Sequence, residues 1–196
     1  LSEIKLPNGA RLLLQPDRRL PNLHFRFMMN GGPLFEAADK RGSTGLLATM
    51  LTKDTRSRSA AEVAELIESV GGVFHPVAGN NSLGLAVEVL PTDVVRALTV
   101  LEQAVLAPAF KAGSFATERD AQIAALQQDD DDVVTLARKR LREAFFGSHP
   151  LAHDAQGTIE GVKKMTPKDL AALHRKLIAG SNVVLAVAGD FEPRQL

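Results

Sequence analysis

The sequence predicts an α+β domain, with a mostly antiparallel sheet of about five or six strands packed against several helices. Three observations carry this. Apolar side chains alternate at Leu23, Phe25, Phe27 and Met29 and again at Leu83, Leu85, Val87 and Val89, the period of two that marks strands with one buried face. Other segments place apolar residues at helical spacing behind cap signals, as at Ser59 with Glu62 and at Thr166-Pro167 with Asp169. Strands and helices also follow one another without strict β-α-β alternation, which favours an antiparallel or mixed sheet over a parallel one.

In chain order, Leu6-Pro7-Asn8-Gly9-Ala10 carries an Asn-Gly turn signal, and residues 11–15 form the second arm of a hairpin closed near Pro16-Asp17. The strand with Phe25 and Phe27 turns His24 to the opposite face and stops at Gly31-Gly32-Pro33. Leu46, Leu47, Met50 and Leu51 have the spacing of a short buried helix. Val63, Leu66, Ile67 and Val70 follow the Ser59 cap and end at Gly71. Residues 72–78 and 83–89 flank Gly79-Asn80-Asn81 as a second hairpin. Helices are predicted over 91–106, from Ser114 through Ile123 and Leu126, from Val133 through Ala137, Leu141 and Phe145, and after Thr166, with a last strand over 182–188. The acidic run from Asp129 to Asp132 is placed at the positive end of the helix that follows it.

Composition narrows the function classes. The chain has 196 residues, 45% apolar and 23% charged, and no apolar run long enough to span a bilayer. Lys and Arg number 23 against 23 Asp and Glu, so the electrostatic footprint of a nucleic-acid binder is absent and peptides or proteins are the expected partners. The lack of cysteine excludes thiolate metal sites and a cysteine nucleophile, but leaves a bacterial periplasm and a cytoplasm equally open.

Few residues suggest chemistry. His149 and His153 are the one histidine pair at metal-like spacing, but Pro150 between them rules out one continuous helix bearing both. Ser148, His149 and Asp154 lie too close in sequence for a catalytic triad on rigid elements. The aspartate run lacks the spaced ligands and terminal Glu of a calcium loop, and no phosphate-cradling glycine motif is present.

An ordered set of stretches resembles the pitrilysin/insulinase family of zinc metallopeptidases, which includes the mitochondrial processing peptidases and the core subunits of respiratory complex III. Leu6-Pro7-Asn8-Gly9, Leu46-Leu47-Ala48-Thr49-Met50-Leu51, Gly71-Gly72, Leu90-Pro91-Thr92-Asp93, Glu118-Arg119-Asp120, Phe146-Gly147-Ser148-His149-Pro150 and Val187-Ala188-Gly189-Asp190 occur in the family's order over nearly the whole chain. The resemblance implies the processing-peptidase fold and an inverted zinc motif, His-x-x-Glu-His, on one helix, where two His share a face and the Glu polarises the metal-bound water. Here those positions hold Gly45, Ala48 and Thr49, and the distal Glu ligand falls at or next to Ala125. The resemblance thus implies the fold while these residues deny the reaction. No cofactor is expected, although the family uses zinc.

Family members enclose peptides between homologous domains. The resemblance therefore implies a non-catalytic domain spanning residues 1–196, part of a longer protein or assembly, that walls a peptide chamber beside a homologous catalytic domain or subunit. The chain stops soon after Asp190-Phe191-Glu192-Pro193, where family domains continue into another helix, and the family's Arg-Tyr substrate pair cannot be complete without a Tyr. Val73, Phe74, His75, Pro76 and Val77 match the family's edge strand, to which substrate adds as a further strand. Proline has no N–H to donate, so Pro76 suits an edge and blunts it, and only weak binding of extended peptides is expected. The competing reading is an active metal-dependent peptidase with a relocated site around His149 and His153.

Overall fold

The computed structural model describes residues 1–193. Its six strands, β1 (Ser2–Lys5), β2 (Arg11–Pro16), β3 (Leu23–Asn30), β4 (Val73–Ala78), β5 (Ser82–Val89) and β6 (Val183–Gly189), form one sheet in the order β1-β2-β6-β3-β5-β4. Every pairing is antiparallel except β2 with β6. The Asn8-Gly9 hairpin forms as its turn chemistry dictates, with the Asn8 side-chain oxygen accepting from the Ala10 amide at 3.0 Å and Gly9 at φ 88°. The alternation in β3 sets the register of the whole core. Phe25 lies between Val87 of β5 and Val187 of β6, and Phe27 is opposite Leu85, so all these side chains share one buried face. Each such burial contributes roughly 1.5–3 kcal/mol.

Helices α1 (Ser43–Leu51), α2 (Ala60–Glu68) and α3 (Val94–Leu106) cover that face, and α4 (Ala112–Asp131) and α7 (Pro167–Leu177) pack on α1 from the far side, with α5 (Val133–Phe146) and the short α6 (Ile159–Lys163) between them in the chain. Sandwiched in this way, α1 is apolar on nearly every side, with Leu46, Leu47, Ala48, Met50 and Leu51 buried. The two capping boxes form as the sequence predicts, Ser59 with Glu62 on α2 and Thr166 with Asp169 on α7. No helix among the described residues is long and apolar enough to cross a membrane.

Two expectations need correction. Asp129, Asp130 and Asp131 do not precede a helix; they close α4, at its negative end, where Lys139 offsets them by pairing with Asp129 and Asp130 at 3.4 and 3.1 Å. Only Asp132 caps α5 (Val133–Phe146), accepting from the Thr135 amide at 2.8 Å. Ser114 does not start α4; it lies inside the first turn and donates its hydroxyl proton to Asp54. The apolar pattern of α5 is present but faces solvent: Val133 and Phe145 are each 80% exposed and Leu141 70%.

Candidate functional site

The positions that the resemblance assigns to the metal motif, Gly45, Ala48, Thr49 and Ala125, lie on α1 and α4. Glu36, from the loop before α1, accepts from the amides of Gly42 at 2.9 Å and Thr44 at 2.8 Å, so its carboxylate satisfies donors at the positive end of the helix and fixes α1 in place. Gly45 and Thr49, one turn apart, then line an open groove of about 410 Å³ together with Ala78 at the end of β4, Glu118, Ala121 and Gln122 of α4, and Ala155 and Gln156 of the following loop. Ala48 does not reach the groove; it is sealed in the core. Ala125 is half-buried on α4 but is not among the groove residues, which on that helix are one to two turns earlier.

The donor set does not fit zinc. The one carboxylate in the groove, Glu118, is paired with Lys53 at 2.8 Å, and the other polar groups are the Thr49 hydroxyl and the amides of Gln122 and Gln156. Among the described residues no three His, Asp or Glu side chains are close enough to share a metal. His149 and His153 do not converge either. His149 caps a short 3-10 turn, its Nδ1 accepting from the Leu151 amide at 3.2 Å, whereas His153 borders a separate polar cleft with Asp130, Lys139, Glu143 and Asp154.

The groove is instead closed at one end by close backbone packing. A Cβ built on Gly45 would lie 2.5 Å from the Ala155 carbonyl oxygen, and one on Gly157 (φ +77°) would lie 2.1 Å from the Gly42 nitrogen. The side-chain amide of Gln122 spans the contact and donates to the carbonyls of Gly42 at 3.1 Å and Gln156 at 2.7 Å. Sequence reasoning passed over Gln122 because a glutamine in mid-helix looks like part of a solvated face. The signal that could have drawn notice is the recurrence of glycine at 42, 45, 157 and 161, on both sides of this contact.

Of the residues of β4, Ala78 lines the groove, whereas Val73, Phe74, His75, Pro76 and Val77 are not among its lining residues. β4 is an edge of the sheet and pairs with β5 alone, with Pro76 opposite Leu85 and His75 opposite Ala86. Phe74 packs on the core, while Val73 is half exposed.

Together these features define an α+β domain of the metallopeptidase type in which, among the described residues, no donor set for a metal comes together. Residues 21–158 match the family model of insulinase, peptidase family M16, and the chain belongs to that family. An uncharacterized zinc protease of Mycobacterium leprae is 26% identical over 187 residues, covering 95% of this chain and 42% of that protein. A non-peptidase homolog of Helicobacter pylori is 24% identical over 192 residues, covering 98% and 44%. Among solved structures, a peptidase M16 inactive domain from Pseudomonas fluorescens superimposes with a TM-score of 0.91 at 24% identity, covering 99% of this chain and 47% of that one. The chain thus spans less than half the length of these relatives.

Proposed function

We propose that this chain is a non-catalytic domain of a longer M16-type protein or assembly, which walls a peptide chamber beside a homologous catalytic domain or subunit. The reading rests on the resemblance, which puts Gly45, Ala48 and Thr49 at the family's His-x-x-Glu-His, and one observation supports it: among the described residues the one carboxylate lining the groove, Glu118, is held by Lys53. Relatives described as a non-peptidase homolog and an inactive domain support it. The purified chain is expected to hold no stoichiometric zinc and to cleave no peptide. One zinc per chain by elemental analysis, lost together with activity in His149→Ala or His153→Ala, would sink the reading in favour of the relocated site.

In the same reading β4 contacts peptide weakly. A proline whose nitrogen faces outward costs one ladder bond to an added strand, about 0.5–1.5 kcal/mol net. Titration of extended peptides should therefore show weak binding that strengthens in Pro76→Ala. Tight binding by the wild type, unchanged or weakened by the substitution, would instead make the edge a working substrate site.

The exposed stripe of α5 supports a partner. Val133, Ala137, Leu141 and Phe145 recur every four residues along its solvent side, and a continuous apolar strip of this kind is a contact surface more often than a solvated one. In isolation the chain is expected to self-associate through it, and Leu141→Asp with Phe145→Asp to give a monomer by light scattering. A wild type that is already a clean monomer and binds no apolar-surface dye would count against this face as an interface.

A further inference from the structure

Resting on the non-catalytic reading, we propose that the family's metal site has here been replaced by a backbone clasp pinned by Gln122, so that restoring the missing ligands will not restore zinc. The clasp joins residues 41–45, at the start of α1, to residues 155–161. Its closeness depends on glycine. Any side chain at 45, histidine included, begins with a Cβ 2.5 Å from the Ala155 oxygen, and that oxygen is backbone, with no flexible tip to swing aside. The same limit applies from the opposite side, since Cβ atoms at Gly157 and Gly161 would meet the Arg41 carbonyl oxygen at 2.3 and 2.6 Å. To admit a ligand at 45, the loop must retreat, and retreat breaks the bond from Gln122 to the Gln156 carbonyl.

Gln122 holds the excluding loop in place. Its two amide protons go to two carbonyl oxygens, so both acceptors fix the orientation of the amide. A carboxylate in its place would accept only, and would face those same two oxygens. Zinc needs deprotonated or lone-pair donors aimed into the groove, whereas the clasp needs a donor aimed at the loop. The contact between α1 and the loop is held by the hydrogen bonds of Gln122 to backbone carbonyls.

The test has two arms. In the first, Gly45→His, Ala48→Glu, Thr49→His and Ala125→Glu are combined, and zinc alone is titrated by calorimetry with elemental analysis. No stoichiometric zinc is expected. One zinc per chain in this variant, with none in the wild type, would overturn the clasp while leaving the non-catalytic reading intact; zinc in the wild type would overturn that reading itself. The second arm does not depend on the quadruple variant folding. Hydrogen exchange of the amides of residues 156–158 is compared in wild type, Gln122→Ala and Gln122→Glu. Protection at a given pH, relative to the wild type at that same pH, should fall about tenfold in the alanine variant and further in the glutamate variant. Equal exchange in all three would show that Gln122 pins nothing.

Discussion

Gly157→Ala is expected to lower stability more than any other single methyl addition at this site. The new Cβ would lie 2.1 Å from the Gly42 nitrogen and 2.2 Å from the Arg41 carbonyl carbon, both of them backbone. The residue also sits at φ +77°, where an alanine is strained before it meets any neighbour. Left-handed strain of about 1–3 kcal/mol and overpacking of about 1–3 kcal/mol together predict a loss of about 2–6 kcal/mol. For a chain of this size that is a fall in Tm of very roughly 5–20 °C. Gly147→Ala separates the two contributions, because Gly147 also has positive φ, at +56°, but a Cβ there has no neighbour within 4 Å. If Gly147→Ala proves as costly as Gly157→Ala, the steric part of the argument is wrong.

Asp54→Ala is the second. Asp54 is 5% exposed and ties three elements: its carboxylate accepts from the Ala60 amide at the start of α2 at 3.1 Å, from the Ser114 hydroxyl in the first turn of α4, and from the Lys111 ammonium at 3.0 Å. Burial by itself would raise its pKa, but the hydrogen bonds from Ser114, Lys111 and Ala60, with the charge of Lys111, outweigh burial and hold it below the ordinary carboxylate value of 3.8. Removing the carboxylate leaves the Ala60 amide and the Ser114 hydroxyl without their acceptor, at a cost of about 2–4 kcal/mol. The sign with pH follows from the lowered pKa. The stabilisation is complete above the unfolded value and is lost as pH falls through the folded one, so it vanishes only in acid. Thermal melts across pH should therefore show a large deficit for Asp54→Ala near neutrality that narrows in acid, with Asp54→Asn also less sensitive to acid than the wild type. A deficit below about 0.5 kcal/mol at neutral pH would place Asp54 with ordinary surface residues.

Local chemistry made much of the fold legible. The Ser59 and Thr166 caps satisfy amides within three residues of themselves, and the alternation in β3 and β5 depends only on the pleat, so neither needs distant context. The helix through residues 45–51 could be read from its apolar spacing, and the absence of metal-donor side chains at Gly45 and Ala48 from their identities alone.

The rest required partners remote in sequence. The Asp129–Asp132 run reads equally well as the end of one helix or the start of the next, and Lys139, reaching back to Asp129 and Asp130, is what makes the first arrangement tolerable. The pattern of α5 correctly gave a helix but not the side it would turn to the protein, because periodicity defines an apolar face without saying what covers it. β6 is the last strand among the described residues, yet it enters the middle of the sheet, parallel to β2 and antiparallel to β3. That placement is decided by the apolar partners waiting on both sides, which bring Val187 level with Leu14 and Phe25. The clasp is the extreme case. The sequence by itself determined that no zinc ligand stands at 45, but only the tertiary structure decided that none can be added there. The physical reason is that the excluding atom, the Ala155 carbonyl oxygen, belongs to a backbone 110 residues away that local sequence does not position.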